Sequence, residues 1–297
     1  MMKKILVAAA VAALAASASA QTTIYGRVSN YVDNTKTGTA AAVNSVVSDS
    51  SRIGFSVQED LGKGLSARVV VETAILSDDP KAGADTKFGD RQSTVGLAGK
   101  LGTFDLGRKE HAMFLTLKAA DPFATIYGSS VVDVHNKRDS RIGDGVFVTT
   151  GAKGVNFAYD HGQNPTTTNI QSFSLGGSVG PARLSFARWE QGVEKTDLYT
   201  AVGKFGNTTL YYAHSESQGA AAATNSKGDS VSVRQQLGQF AVKASYGKTN
   251  NDVTAYTVGG EYNLSKRTDL MVAVRNVDGA TASADVKQYG VGLVHRF

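Results

Sequence analysis

From residue 21 onward, apolar and polar positions alternate in runs of about ten residues, so each run carries one apolar and one polar face. In Gln239–Gly247 the apolar face is Phe240, Val242, Ala244 and Tyr246, set against Gln239, Ala241, Lys243 and Ser245. Asp229–Gly238 separates Val231, Val233 and Leu237 from Ser230, Ser232, Arg234 and Gln236. Thr268–Val277 separates Leu270, Val272 and Val274 from Asp269, Met271, Ala273 and Arg275. Runs of this length match β-strands that cross the hydrocarbon core of a bilayer at a tilt. A soluble secreted β-protein alternates in the same way, so the connections must decide between the two.

Short Gly-marked turns recur at Leu61–Gly64, Lys100–Gly102, Gly151–Gly154, Gly180–Pro181, Gly206–Asn207, Gly238–Gln239 and Leu264–Arg267. Between them lie longer polar connections, among them Thr35–Ser50, Ser77–Asp90, Gln163–Asn169, Ser217–Gly228 and Asp278–Asp285. Strict alternation of seven short turns with eight long loops gives fifteen connections and sixteen strands. The prediction is an all-β, transmembrane antiparallel barrel occupying 21–297 as one domain, with short periplasmic turns and long outer loops. A soluble sandwich has no reason to keep its long loops at one end. The terminal run Lys287–Phe297 places Tyr289, Val291, Leu293, His295 and Phe297 on one face. In a closed barrel that last strand pairs with the first and leaves no edge.

One stretch breaks the alternation for about thirty residues, KEHAMFLTLKAADPFATIYGSSVVDVHNKRD at 109–139. A connection this long is functional or disordered. Met113, Phe114, Leu115, Phe123, Ile126 and Tyr127 argue against disorder, and Arg108, Arg138 and Arg141 flank the stretch. It is expected to fold into the barrel, as the third of eight outer loops, and narrow the lumen.

Composition changes the picture in three places. Lys3 and Lys4, the apolar run Ile5–Ala15 and the small residues Ala18–Ala20 read as a cleaved secretory signal peptide over 1–20. Losing it lowers 31 basic residues to 29 against 26 acidic ones, a net charge of +3, too mild to argue for nucleic acid. Cysteine is absent, which excludes disulfides and thiol chemistry. The five histidines have no HxxxH or HExxH spacing, so neither a metal nor a cofactor is expected. Asp33–Gly38 lacks the later acids of a calcium loop, and GxSxG is missing, so no enzymatic activity is expected.

TIYGR at 23–27, SRIGF at 51–55, EDLG at 59–62, RQSTVGL at 91–97, TFDLGR at 103–108 and GVGLVHRF at 290–297 occur in this order. With these segments the chain resembles the general porins of Gram-negative outer membranes, of the β-proteobacterial type. The resemblance implies a homotrimer in outer-membrane lipid that passes small hydrophilic solutes through an eyelet formed by the third loop. It implies that Phe297, preceded by His295 and Arg296, is a signal for the outer-membrane assembly machinery. It also matches Arg52, Arg108 and Arg138 to a basic cluster opposite the eyelet loop, with Arg141 as the alternative to Arg138.

Strand phase places several charges inward. Ile53, Phe55 and Val57 send Arg52 to the lumen, and Val69 and Val71 do the same for Arg68 and Glu72. Ile24 and Val28 put Arg27 inside. Strict phase points Arg108 outward, which would cost roughly 2–4 kcal/mol at the midplane, so a bulge at Gly107 is expected to turn it. The acidic side of the constriction is assigned to Asp121, with Glu110, Asp133 and Glu72. Basic residues, Lys118 included, outnumber these acids, and weak preference for anions follows. Two other readings stay open: a substrate-selective channel, which would show an aromatic ladder along the lumen, and a non-channel barrel such as an adhesin. Trp189 points away from lipid on the phase of Leu184 and Phe186, and no role is assigned to it.

Overall fold

The computed structural model describes residues 20–75, 87–135, 140–163, 168–219 and 225–297. Of the expected signal peptide, 1–19 lies outside the described residues, as does Arg138. The strand segments are β1 (Gln21–Thr37), β2 (Val43–Ser48), β3 (Arg52–Gly62), β4 (Leu65–Ala74), β5 (Gln92–Gly99) and β6 (Gly102–Glu110). After two helices, α1 (Ala112–Ala119) and α2 (Val131–Val134), come β7 (Arg141–Ala152), β8 (Val155–Gln163), β9 (Asn169–Val179), β10 (Ala182–Gln191) and β11 (Glu194–Phe205). The chain finishes with β12 (Thr208–Gln218), β13 (Ser226–Leu237), β14 (Phe240–Thr249), β15 (Thr254–Asn263), β16 (Thr268–Asp278) and β17 (Val286–Arg296).

Each strand pairs antiparallel with its sequence neighbour, and β17 returns to β1 from Arg27↔Arg296 to Thr37↔Val286. The lower half of β1 pairs with β3 and its upper half with β2. β2 and β3 therefore run end to end as one stave, interrupted where the Ser29 N–H donates to Ser51 Oγ at 2.9 Å. Seventeen segments thus make the sixteen staves expected, closed without an edge. Gly26 and Phe297 exchange backbone hydrogen bonds of 3.0 and 3.1 Å at the seam.

The alternation sorts as anticipated. Phe240, Val242 and Tyr246 are exposed on the outer surface, while Ala241, Lys243 and Ser245 are buried on the inner one. At one end every connection is a tight turn. At the other the alternation of long and short is not strict: Gly192–Val193 joins β10 to β11, and 250–253 joins β14 to β15. Gly192 and Asp252 take left-handed φ values of +60° and 60°, which lets these hairpins close in few residues. No described helix is long and apolar enough to cross a membrane, which says nothing against a barrel that crosses with strands.

The apolar core sits inside the barrel, between its wall and the long connection after β6. Met113, Leu117, Ala120 and Val131 pack on Ile142, Phe147, Ile170, Ala187, Trp189, Leu198 and Ala213.

Candidate functional site

The long connection is held along the inner wall by three anchors. At its start the wall satisfies the free N–H groups of α1's first turn. Ala112 N–H donates to Asp160 at 2.5 Å, Met113 N–H to Ser172 Oγ at 3.0 Å, and Phe114 N–H to the capping His111 Nδ1 at 3.2 Å. Met113 and Leu117 then lie on Trp189, which is 1% exposed. Trp189 is therefore the floor for the helix, the role the sequence left blank. Burying such side chains contributes about 1.5–3 kcal/mol each.

The tip forms the second anchor. Asp121 accepts from Phe123 N–H (2.9 Å), Thr125 N–H (2.6 Å) and Ser129 Oγ (2.6 Å) and is buried. It braces a turn in which Ala124 and Thr125 have φ of 54° and 58°, and burial pushes its carboxyl pKa up. The expectation that Asp121 faces the lumen as the acidic side is corrected: three donors of its own loop enclose it. Lys243 Nζ lies 5.6 Å from the Phe123 ring. Thr257 Oγ1 donates to the Gly128 carbonyl at 2.6 Å. Tyr127 stacks on Tyr31 and donates its hydroxyl to Asp33.

The return limb is the third anchor. Arg275 holds both oxygens of Asp133, with Nε at 2.8 Å. Asp133 is thus also corrected, from a free lumen charge to the loop half of a wall ion pair. His135 is buried with its ring nitrogens 2.8 Å from Ser215 Oγ and 2.8 Å from Ser230 Oγ. Val134 packs with Ala255 and Val277. Together the anchors run from β8 round to β17 and β1.

That path leaves the wall from β3 to β6 uncovered, and there, with Arg141 at the start of β7, the basic residues gather. Glu72 accepts from Arg52 at 3.2 Å and Arg91 at 2.8 Å. Glu110 accepts from Arg141 at 3.0 Å and from Lys118, on α1, at 3.1 Å. Arg141 Nε reaches the Arg91 carbonyl at 2.8 Å, and Arg27 lies directly across the β1–β3 ladder from Arg52. Glu72 and Glu110 were expected to oppose the arginines; they sit among them, because strand pairing sets each beside its cations. Four cations share two carboxylates here, and Arg27 adds a fifth. Deeper in the lumen Arg68 and Lys109 both hold the buried Asp105, through Arg68 Nε at 2.7 Å and Lys109 Nζ at 2.7 Å. The bulge expected at Gly107 is corrected. Gly107 has φ +125°, but its ladder with β5 continues unshifted to Ser93↔Arg108. Against β7, the two steps from Gly107 to Lys109 face three from Gly145 to Ile142, so the extra residue lies in β7. The Arg108 guanidinium donates Nε to the Asp90 carbonyl at 2.7 Å.

Sequence reasoning missed Arg91, Asp105 and Arg275. Asp105 was legible, since it alternates with Phe104 and Leu106 and must face inward. Arg91 stood just beyond a loop taken to end at Asp90, so its phase was never read.

The sequence profile of a family described as Gram-negative porin matches residues 7–297. The chain is 28% identical over 337 residues to the major outer membrane protein P.IB of Neisseria meningitidis serogroup B. To the P.IB protein of Neisseria lactamica it is 26% identical over 343 residues, and in both cases 100% of each chain is covered. Among solved structures it superposes on the anion-selective porin from Comamonas acidovorans with a TM-score of 0.81. That match has 21% identity and covers 94% of this chain and 100% of that one, a likeness of fold.

Proposed function

Because the chain belongs to the Gram-negative porin family, an outer-membrane barrel enclosing a water-filled diffusion path, we propose that its path for small hydrophilic solutes prefers small anions. One observation carries this reading. Among the described residues, the loop acids Asp121 and Asp133 are occupied in anchoring it, while the wall it leaves open groups Arg52, Arg91, Arg141 and Lys118 around Glu72 and Glu110. A wet lumen tolerates such charge because water and mobile ions solvate it. A net positive rim raises the local anion concentration and lowers that of cations. The preference stays modest, since both carboxylates remain in the cluster.

In this reading Arg27, Arg52 and Arg141 form the basic wall, and Arg68 and Arg108 extend it. Residues 1–20 act as the export signal, Phe297 is read by the assembly machinery, and the working unit is a homotrimer. The likeness in fold to a porin named anion-selective is in keeping with it. A potassium chloride gradient across a planar bilayer tests the reading. The reversal potential is expected to have the sign of chloride preference and to move toward potassium in a double Arg52→Ser, Arg141→Ser variant. A reversal potential that stays put while conductance rises would mean that these arginines only fill space.

A further inference from the structure

A second feature lies on the short-turn side of α1. A recess of about 680 Å³ separates the helix from the wall of β7 to β11. That size falls within the roughly 300–1,000 Å³ of small-molecule sites. Its roof is the face of α1 turned from the core, where Leu115 is 45% exposed although Met113, Phe114 and Leu117 of the same helix are buried. Ala119 continues the apolar roof, and Ala158 and Val202 face it from the wall. An aliphatic side chain held over water gains nothing for the fold, and a solute with an apolar end would cover it.

The polar side of the recess is one-signed. Arg183 and Lys100 line it, and among the described residues no carboxylate does. With the Asn156 amide turned to accept, its oxygen lies 3.1 Å from both Nη1 and Nη2 of Arg183. This partner is neutral. Gly176 leaves the room in which the guanidinium rests, because a Cβ there would stand 2.8 Å from Nη2. A planar guanidinium paired with a neutral amide suits a carboxylate ligand, which forms stronger, charge-assisted bonds.

We infer that this recess is a resting subsite for small amphiphilic monoanions, the carboxylate held by Arg183 and the apolar body lodged under Leu115 and Ala119. It rests on the anion-preferring channel above and adds a solute class to it. An anion concentrated at the basic wall meets the recess on its way to the short-turn end, so charge selects first and shape second.

Single-channel recording with benzoate as the probe tests the subsite, with acetate matching its charge and benzyl alcohol its ring. Benzoate at millimolar concentration is expected to interrupt the current, more strongly from the short-turn side, while acetate and benzyl alcohol do not. Arg183→Gln should shorten each interruption by roughly tenfold or more, the loss of a charge-assisted hydrogen bond. Leu115→Ser should shorten it several-fold. Benzoate and acetate acting alike, or interruptions unchanged in Arg183→Gln, would overturn the subsite. The chloride-gradient reversal potential reads the channel's preference separately, so a chloride-preferring channel that ignores benzoate removes the subsite alone.

Discussion

Tyr127, at the tip of the inward loop, stacks on Tyr31 of the first strand with ring centroids 3.9 Å apart and planes 8° from parallel. The stack joins the loop to the strand that closes the barrel. Its hydroxyl bond to Asp33 adds a polar latch, and Gln288 Nε2 donates to the same carboxylate at 3.0 Å. Such a pair is worth about 0.5–1.5 kcal/mol beyond the area it buries. Tyr127→Ala should free the tip while α1 stays docked on Trp189. The expected outcome is noisier open-channel current and a lower closing voltage, with the heat stability of the barrel little changed. Quiet current indistinguishable from the parent would show that the latch is redundant.

The anion preference should fade with salt. Arg52, Arg91, Arg141 and Lys118 reach the lumen from partly exposed positions, so mobile ions screen them. The screening length is about 10 Å at 0.1 M salt and about 3 Å at 1 M. Reversal potentials at a fixed concentration ratio, measured from low to high salt, should therefore converge on equal permeability. A ratio independent of salt would point to anion binding at one short-range site.

The barrel was legible because its rule is repetitive: one residue out, one residue in, ten residues at a time. Phe240 to Tyr246 or Tyr289 to Phe297 reveal their faces without any knowledge of their neighbours. The loop was legible only as an interruption. Which side of it faces water depends on contacts far away in sequence, such as Asp133 with Arg275 and His135 with Ser215 and Ser230. Asp121 shows the difficulty best. An acid beside Pro122 at a loop centre reads as a lumen charge, yet local backbone N–H groups reach it first. Glu72 failed for another reason, since phase gives a face but not a partner, and Glu110, read as part of the loop, belongs to β6 opposite Arg141.

Gly107 offers a backbone test. Its φ of +125° lies where L side chains are strained, and a Cβ would collide with the Ser93 carbonyl oxygen of the neighbouring strand. Gly107→Ala should therefore strain the β5–β6 pairing, at a cost of about 1–3 kcal/mol for the dihedral alone. The expected readout is a reduced yield of folded, heat-modifiable barrel. A variant folding at the parent yield would show that the neighbouring strand shifts to accommodate the added Cβ.

His135 makes the return limb sensitive to acid. Burial holds its pKa down at about 4 from an ordinary 6.5; Asp229 opposes this and His214 reinforces it. The neutral ring bridges Ser215 and Ser230. The released ring is protonated below about 6.5, whereas the docked one resists until about 4. The released state therefore binds more protons in that window, and docking weakens as pH falls from 6.5 toward 4. The loss is at most roughly 3 kcal/mol. Hydrogen-exchange protection at Val131–His135, taken relative to the intrinsic rate at each pH, should fall across this window, while α1 on Trp189 stays protected. His135→Gln, which can bond both serines without titrating, should flatten the dependence. If protection in that variant still fell between pH 6.5 and 4, the response would belong to other groups, with Asp229 and His214 the first to examine.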